Sequence, residues 1–192
     1  MSDAESKHVC PWWIGYLLIS PLRRWGQNPR KILSPYVCQG MTVLEPGPGM
    51  GFFTIELARL VGPKGKVIAI DVQRKMLDAL AKRARRAALQ DRIELRTASG
   101  SDMGTDDLRG RVDFALAFAL VHELPDAGRF FEEVHAALRP GGQMLLAEPS
   151  GHVRPHDWDA TVRAAEGAGF KPAKTLPVWR SHSVLLTKAS AG

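Results

Sequence analysis

The sequence predicts an open α/β fold, a mostly parallel sheet with helices on both faces, and three stretches carry the prediction. Met41-Thr-Val-Leu-Glu-Pro-Gly-Pro-Gly-Met-Gly-Phe-Phe-Thr-Ile-Glu-Leu-Ala-Arg-Leu60 reads as a short covered strand, a glycine-rich turn and an amphipathic helix, with Phe53, Leu57 and Leu60 at helical spacing. Val67-Ile-Ala-Ile-Asp71 is a second apolar strand ending in an acid. Val112-Asp-Phe-Ala-Leu-Ala-Phe-Ala-Leu120, the most apolar segment, is a third. Strands alternating with helices put the ligand crevice at the carboxyl ends of the strands.

Composition sets the outer limits. A chain of 192 residues suits one domain, burying roughly 70% of the surface its unfolded form exposes. Cys10 and Cys38 are the two cysteines, a usage that fits a reduced, cytoplasmic protein and matches no zinc spacing. No apolar run, Trp12 to Ile19 included, exceeds eight residues, against roughly 20 needed to span a bilayer, and no signal peptide is read at the amino terminus. The net charge of +6 is largely local: Arg74, Lys75, Lys82, Arg83, Arg85 and Arg86 face a single acid, Asp78, between Asp71 and Asp91. No aromatic residue interleaves with them to stack bases, so they read as a solvated helix face and nucleic acid is disfavoured.

From the amino terminus, residues 1 to 7 are polar. His8 to Pro29 holds three of the five tryptophans together with Cys10, Trp13 and Tyr16. Residues 1–28 are therefore expected to form an aromatic cap over a pocket and 29–192 the main domain. Covering the outside of the sheet, or anchoring at a membrane surface, are the competing readings of the cap. Asn28-Pro29 is a helix start, Asn as cap and Pro in the first turn.

In the glycine turn the spacing is Glu45-x-Gly47-x-Gly49-x-Gly51, with an acid at the end of the strand. Dinucleotide sites use G-x-G-x-x-G to seat a pyrophosphate on a helix end. A carboxylate here would repel that group and suit a cation. Asp71, 20 residues after Gly51, stands where an acid can accept hydrogen bonds from two ribose hydroxyls.

Helix Arg74–Leu89 should turn Leu77, Leu80 and Ala84 inward, and strand Arg92–Thr97 follows. After the apolar strand come Val121-His-Glu-Leu-Pro-Asp126, a helix capped by Asp126 and running through Phe130, Val134 and Leu138, a tight turn Arg139-Pro-Gly-Gly142, and strand Met144–Glu148. The tail reads as a helix over Asp157–Ala168, then Gly169-Phe170 and two apolar stretches near Thr175–Val178 and Ser183–Thr187.

The order of these parts resembles the class I S-adenosylmethionine-dependent methyltransferases over about residues 29 to 188. It is most similar to the small-molecule enzymes of that class, among them the quinone and sterol C-methyltransferases. The resemblance implies a Rossmann-like seven-stranded, mostly parallel sheet with helices on both faces and a C-terminal antiparallel hairpin. It implies S-adenosylmethionine as cofactor, held by Glu45, Gly47, Gly49, Gly51, Asp71, Val72, Met76, Ala117 and Phe118. The family commonly places an Asp at the end of the third strand for the adenine; here Ser99 stands nearest, so Ser99 and Gly100 are expected there ahead of Asp102.

A sulfonium methyl is already activated, so the protein mainly aligns an acceptor and excludes water, an effect of about 10⁵ to 10⁸ M in effective concentration. His122 and Glu148 both fall at carboxyl ends of strands, and His122 is the first candidate for a general base or substrate-orienting group. Cys10 is a further catalytic candidate, Trp13, Tyr16 and His122 are substrate candidates, and no metal site is expected, although His152 and His156 lie near Glu148 in sequence. The expected partner is a small molecule, with an RNA or protein methyltransferase, or a cofactor-binding protein without catalysis, as alternatives. A transmembrane segment is not expected, peripheral membrane contact stays open, and the chain is read as a monomer or homodimer.

Overall fold

A computed structural model describes residues 26–99 and 102–190. The first 25 residues, with Cys10, Trp13 and Tyr16, lie outside the described residues, as does Gly100. Seven strands form one sheet: β1 (Thr42–Pro46), β2 (Lys66–Asp71), β3 (Ile93–Thr97), β4 (Val112–Phe118), β5 (Leu138–Pro149), β6 (Phe170–Thr175) and β7 (Ser181–Lys188). Their spatial order is β3-β2-β1-β4-β5-β7-β6. The first five pair in parallel, and β7 runs antiparallel to both β5 and β6.

Among the described residues five helices cover it: α1 (Pro29–Leu33), α2 (Thr54–Leu60), α3 (Arg74–Arg86), α4 (Ala127–Ala137) and α5 (Pro155–Gly167). Alternating strand residues feed two cores. Val43, Phe114, Leu116, Leu145 and Leu185 pack against Leu33 of α1, Leu57 of α2 and Leu80 and Ala84 of α3. Leu44, Ala115, Ala117, Met144, Leu146 and Leu186 pack on the other face against Phe130, Phe131 and Val134 of α4 and Ala165 of α5. A strand covered on both sides must be apolar at nearly every position, which is why β4 and the second half of β5 read so clearly in the sequence.

The expected helix caps form. Asn28 accepts a hydrogen bond from the Lys31 N–H at 3.2 Å and Asp126 one from the Arg129 N–H at 2.9 Å. Asp113 ties three strands together, accepting from the Thr42 N–H of β1 at 2.8 Å and from Arg139 Nε of β5 at 2.7 Å.

Two expectations are corrected. The Arg139–Gly142 segment is part of β5, which begins at Leu138; a register shift opposite Val112 and Phe114 absorbs the glycines. The first tail strand lies at Phe170–Thr175 and not at Thr175–Val178. It escapes an apolar pattern because it is the sheet edge: only Phe170 is buried, while Lys171, Pro172, Ala173, Lys174 and Thr175 are exposed.

The direction in which strands are added reverses between the parallel β1 and β4: from β1 the chain winds outward to β2 and β3, and from β4 it winds the other way to β5. A crevice opens at the carboxyl ends of strands at such a switch point.

Candidate active site

A cavity of about 480 Å³ occupies that crevice, within the range of small-molecule sites. Glu45 through Met50, Asp71, Val72, Met76, Phe118, His122 and Glu123 line it from β1, β2, β4 and the segments that follow them. Pro149, Gly151, His152, Trp179, Arg180 and Ser181 line it from β5 and the start of β7. A smaller apolar recess of about 190 Å³ shares Gly47, Asp71, Val72 and Glu123, and is closed by Ala98, Met103, Leu124 and Phe130.

The glycine turn forms one wall. Gly47 and Gly49 have φ of +64° and +54°, a region that L side chains rarely adopt. A Cβ on Gly49 would meet nothing within 4 Å, so this backbone is bare toward the cavity. Gly51 does something else: its missing Cβ would lie 2.3 Å from Leu80 Cδ1, and it is outside the cavity lining. Its smallness lets α3 dock on the turn, and Arg83 of the same helix donates from Nη1 to the Met50 carbonyl at 2.5 Å.

Two acids sit at the strand tips. Glu45 is 4% exposed and its Oε2 has no hydrogen-bond partner among the described residues. Burial pushes its carboxyl up to about 8, a rise moderated by the nearby Thr54 hydroxyl, which does not reach hydrogen-bond geometry. An orphaned buried carboxyl is costly, and a cationic ligand group would relieve it. Asp71 is 9% exposed; its Oδ1 accepts from the Gln73 N–H at 2.8 Å. Burial raises its pKa, and backbone N–H groups of Gln73, Gly49 and Val72 partly counter the rise.

Across the cavity, β4 ends at Phe118, Ala119 turns with φ +56°, and a short 3₁₀ turn at Val121–Glu123 presents His122. Glu148, fully buried at the end of β5, reaches back to this turn. Its Oε1 accepts from the N–H groups of Leu120 at 3.1 Å and Val121 at 2.7 Å, while its Oε2 lies 2.5 Å from His122 Nδ1. A carboxylate accepting from Nδ1–H leaves Nε2 as the free face of the imidazole. Glu123 Oε1 is 3.9 Å from that Nε2. The hydrogen bond to Glu148 raises the His122 pKa, against a lowering by burial and with help from the Glu148 and Glu123 charges.

Thus the structure gathers Glu45, Gly47, Gly49, Asp71, Val72, Met76, Phe118 and His122 around one cavity, with Glu148 behind His122. Ala117 is fully buried in the core beneath the crevice and does not line it. Ser99 pairs with Asp102 in a one-residue antiparallel bridge; Asp102, ranked behind it by sequence, is the one that lines the recess. His152 lines the cavity, its ring 6.4 Å from that of His122, whereas His156 is exposed and pairs with Asp157 at 2.9 Å. Among the described residues no group of three His, Cys, Asp or Glu side chains is placed to hold a metal ion.

Sequence reasoning missed Glu123, Trp179 and Arg180. The signal was topological: an antiparallel β7 beside β5 sets Ser181 opposite Pro149 and so brings the turn before β7 to the ligand edge.

A parallel sheet in this strand order, closed by an antiparallel hairpin and carrying an acid-tipped glycine turn, is the architecture of the class I S-adenosylmethionine-dependent methyltransferases. The chain belongs to the family described as a methyltransferase domain, which it matches over residues 38–171. It is 34% identical over 107 residues to the demethylmenaquinone methyltransferase of Lactobacillus johnsonii, covering 56% of this chain and 43% of that one. It is 32% identical over 117 residues to the ubiquinone/menaquinone biosynthesis C-methyltransferase of Hahella chejuensis, covering 60% and 46%. The chain therefore spans less than half the length of these two curated relatives. A crystal structure of a SAM-dependent methyltransferase from Aquifex aeolicus superposes with a TM-score of 0.82 at 25% identity, covering 93% of this chain and 98% of that one.

Proposed function

We propose that the protein transfers a methyl group from S-adenosylmethionine to a small-molecule acceptor, with His122 as the general base. The observation that carries the reading is the pairing, across one cavity, of an orphaned acid at a bare glycine turn with a histidine oriented by a buried glutamate. The cavity fits the cofactor in charge and shape. Glu45 faces the positively charged methionine end, the bare backbone at Gly49 allows close approach, and Asp71 accepts from the ribose hydroxyls. Val72 and Met76 flank the ribose, and the apolar recess under Ala98, Met103 and Phe130 takes the adenine, with Asp102 at its edge. When bound, the cofactor supplies an electrophilic sulfonium methyl.

The chain's own part is to place and deprotonate the acceptor. Glu148 fixes the imidazole in the tautomer whose Nε2 accepts a proton, and stabilises the imidazolium that results. Phe52, Phe118 and Trp179 border the remaining space and exclude water. Names of the relatives include quinone-pathway methyltransferases, which supports a compact acceptor. No described helix is long and apolar enough to cross a membrane, and two cysteines in the whole chain suit a reducing, cytoplasmic setting.

A calorimetric titration with S-adenosylhomocysteine followed by a methyl-transfer screen over thiols, phenols, amines and quinols tests the proposal. Saturable binding that Asp71→Asn weakens, with transfer to at least one acceptor, supports it. Absence of binding sinks it, and binding without transfer to any acceptor would make the chain a cofactor-binding protein without catalysis.

A further inference from the structure

The cavity is charged unevenly. Its cofactor end holds Glu45, Asp71 and Glu123, and the one arginine or lysine among its described lining residues is Arg180, on the turn before β7. Arg180 is exposed, and no carboxylate among the described residues lies within ion-pair distance of it; its guanidinium carbon sits 5.4 Å from the centroid of the neighbouring Trp179 ring. Its backbone is in the left-handed region at φ +54°, where glycine would be unstrained. The strained turn is held on both sides. The Arg180 carbonyl accepts from the Ser150 N–H at 3.0 Å, and Gln27 Nε2 donates to the Trp179 carbonyl at 3.1 Å and to Ser181 Oγ at 3.3 Å. A guanidinium without an acidic partner among the described residues, set beside an aromatic ring on a turn whose backbone is held in place, is suited to a planar anion.

We propose that Arg180 is a specificity-determining residue that selects acceptors bearing a carboxylate on an aromatic ring. The inference rests on the methyltransferase reading and deepens it. The carboxylate meets the Arg180 fork, the ring lies against Trp179 and Phe52, and the far end of the molecule points toward His122.

The test uses the full chain saturated with S-adenosylhomocysteine and titrated with 3,4-dihydroxybenzoate and its neutral counterpart 3,4-dihydroxybenzamide. The carboxylate should bind at least about tenfold tighter, the effect expected of one charge-assisted hydrogen-bonded pair. Arg180→Gly should erase that preference and leave the amide affinity within about twofold, and Arg180→Lys should keep part of it as a point charge. The glycine variant relieves the positive φ, and its unchanged affinity for S-adenosylhomocysteine is the control for folding. Equal affinities in the wild type, a preference that survives Arg180→Gly, or no binding of either compound would overturn the inference while leaving the cofactor reading intact. Failure of S-adenosylhomocysteine itself to bind would overturn both.

Discussion

The two halves of the cavity are built by different means. The part of the cofactor half that faces the methionine and ribose comes from consecutive elements, β1, the glycine turn, α2, β2 and α3, so its residues fall within Glu45 to Met76 and are held by local packing such as Leu80 against Gly51. The acceptor half is assembled from segments far apart in sequence. His122 meets Glu148 across 26 residues, and Gln27 meets Trp179 across 152. Geometry in the first half follows from the path of the backbone, whereas in the second it depends on side chains reaching across the sheet. The two halves should therefore fail separately: damage to one moves cofactor affinity, damage to the other moves turnover.

The largest expected effect is on the acceptor side. His122→Ala should lower kcat by about 100-fold to 10,000-fold, the span of general-base contributions, with the dissociation constant of S-adenosylhomocysteine unchanged; a comparable loss of cofactor affinity would break the division. On the cofactor side, Asp71→Asn should weaken S-adenosylhomocysteine binding about tenfold to 100-fold, as expected for a lost charge-assisted hydrogen bond, while kcat at saturation stays close to wild type.

Glu148→Gln sharpens the contrast through pH. His122 acts unprotonated, so kcat should rise with pH through a midpoint above the ordinary histidine value, because the Glu148 hydrogen bond raises it. Removing that carboxylate should move the midpoint down toward about 6.5. The same pair supports the fold below the unfolded histidine pKa, and that support fades as pH climbs through the raised value.

The smallest effect is a proton. With its carboxyl near 8, Glu45 keeps its proton in the free protein at neutral pH, and an approaching ammonium or sulfonium favours the ionised form. Cofactor binding near pH 7 should release close to one proton, measured by calorimetry in buffers of different ionisation enthalpy, and Glu45→Gln should abolish the release. Release persisting in that variant would assign the proton elsewhere.

The same division explains what could be read from the sequence. The strand–turn–helix at Glu45 to Leu60, the acid at Asp71 and the apolar β4 are contiguous patterns, and each is legible by periodicity or spacing. His122 and Glu148 could be picked out individually, because both close strands, but not as a pair, since side-chain reach between β4 and β5 leaves no trace along the chain. Trp179 and Arg180 were missed for a stronger reason: nothing local distinguishes a Trp-Arg turn at a cavity from one on a surface, and only the antiparallel placement of β7 decides it. Gly51 shows the opposite limit. It belongs to the glycine pattern, yet its smallness serves the packing of Leu80.

One edge of the sheet also bears on how copies of this chain could associate. β6 is outermost, with Pro172 lacking a backbone N–H, lysines at 171 and 174, and a register shift between Pro172 and Lys174. Such an edge offers an incoming strand a broken ladder and a positive fringe. Joining two protomers into one continuous sheet through this edge is therefore disfavoured.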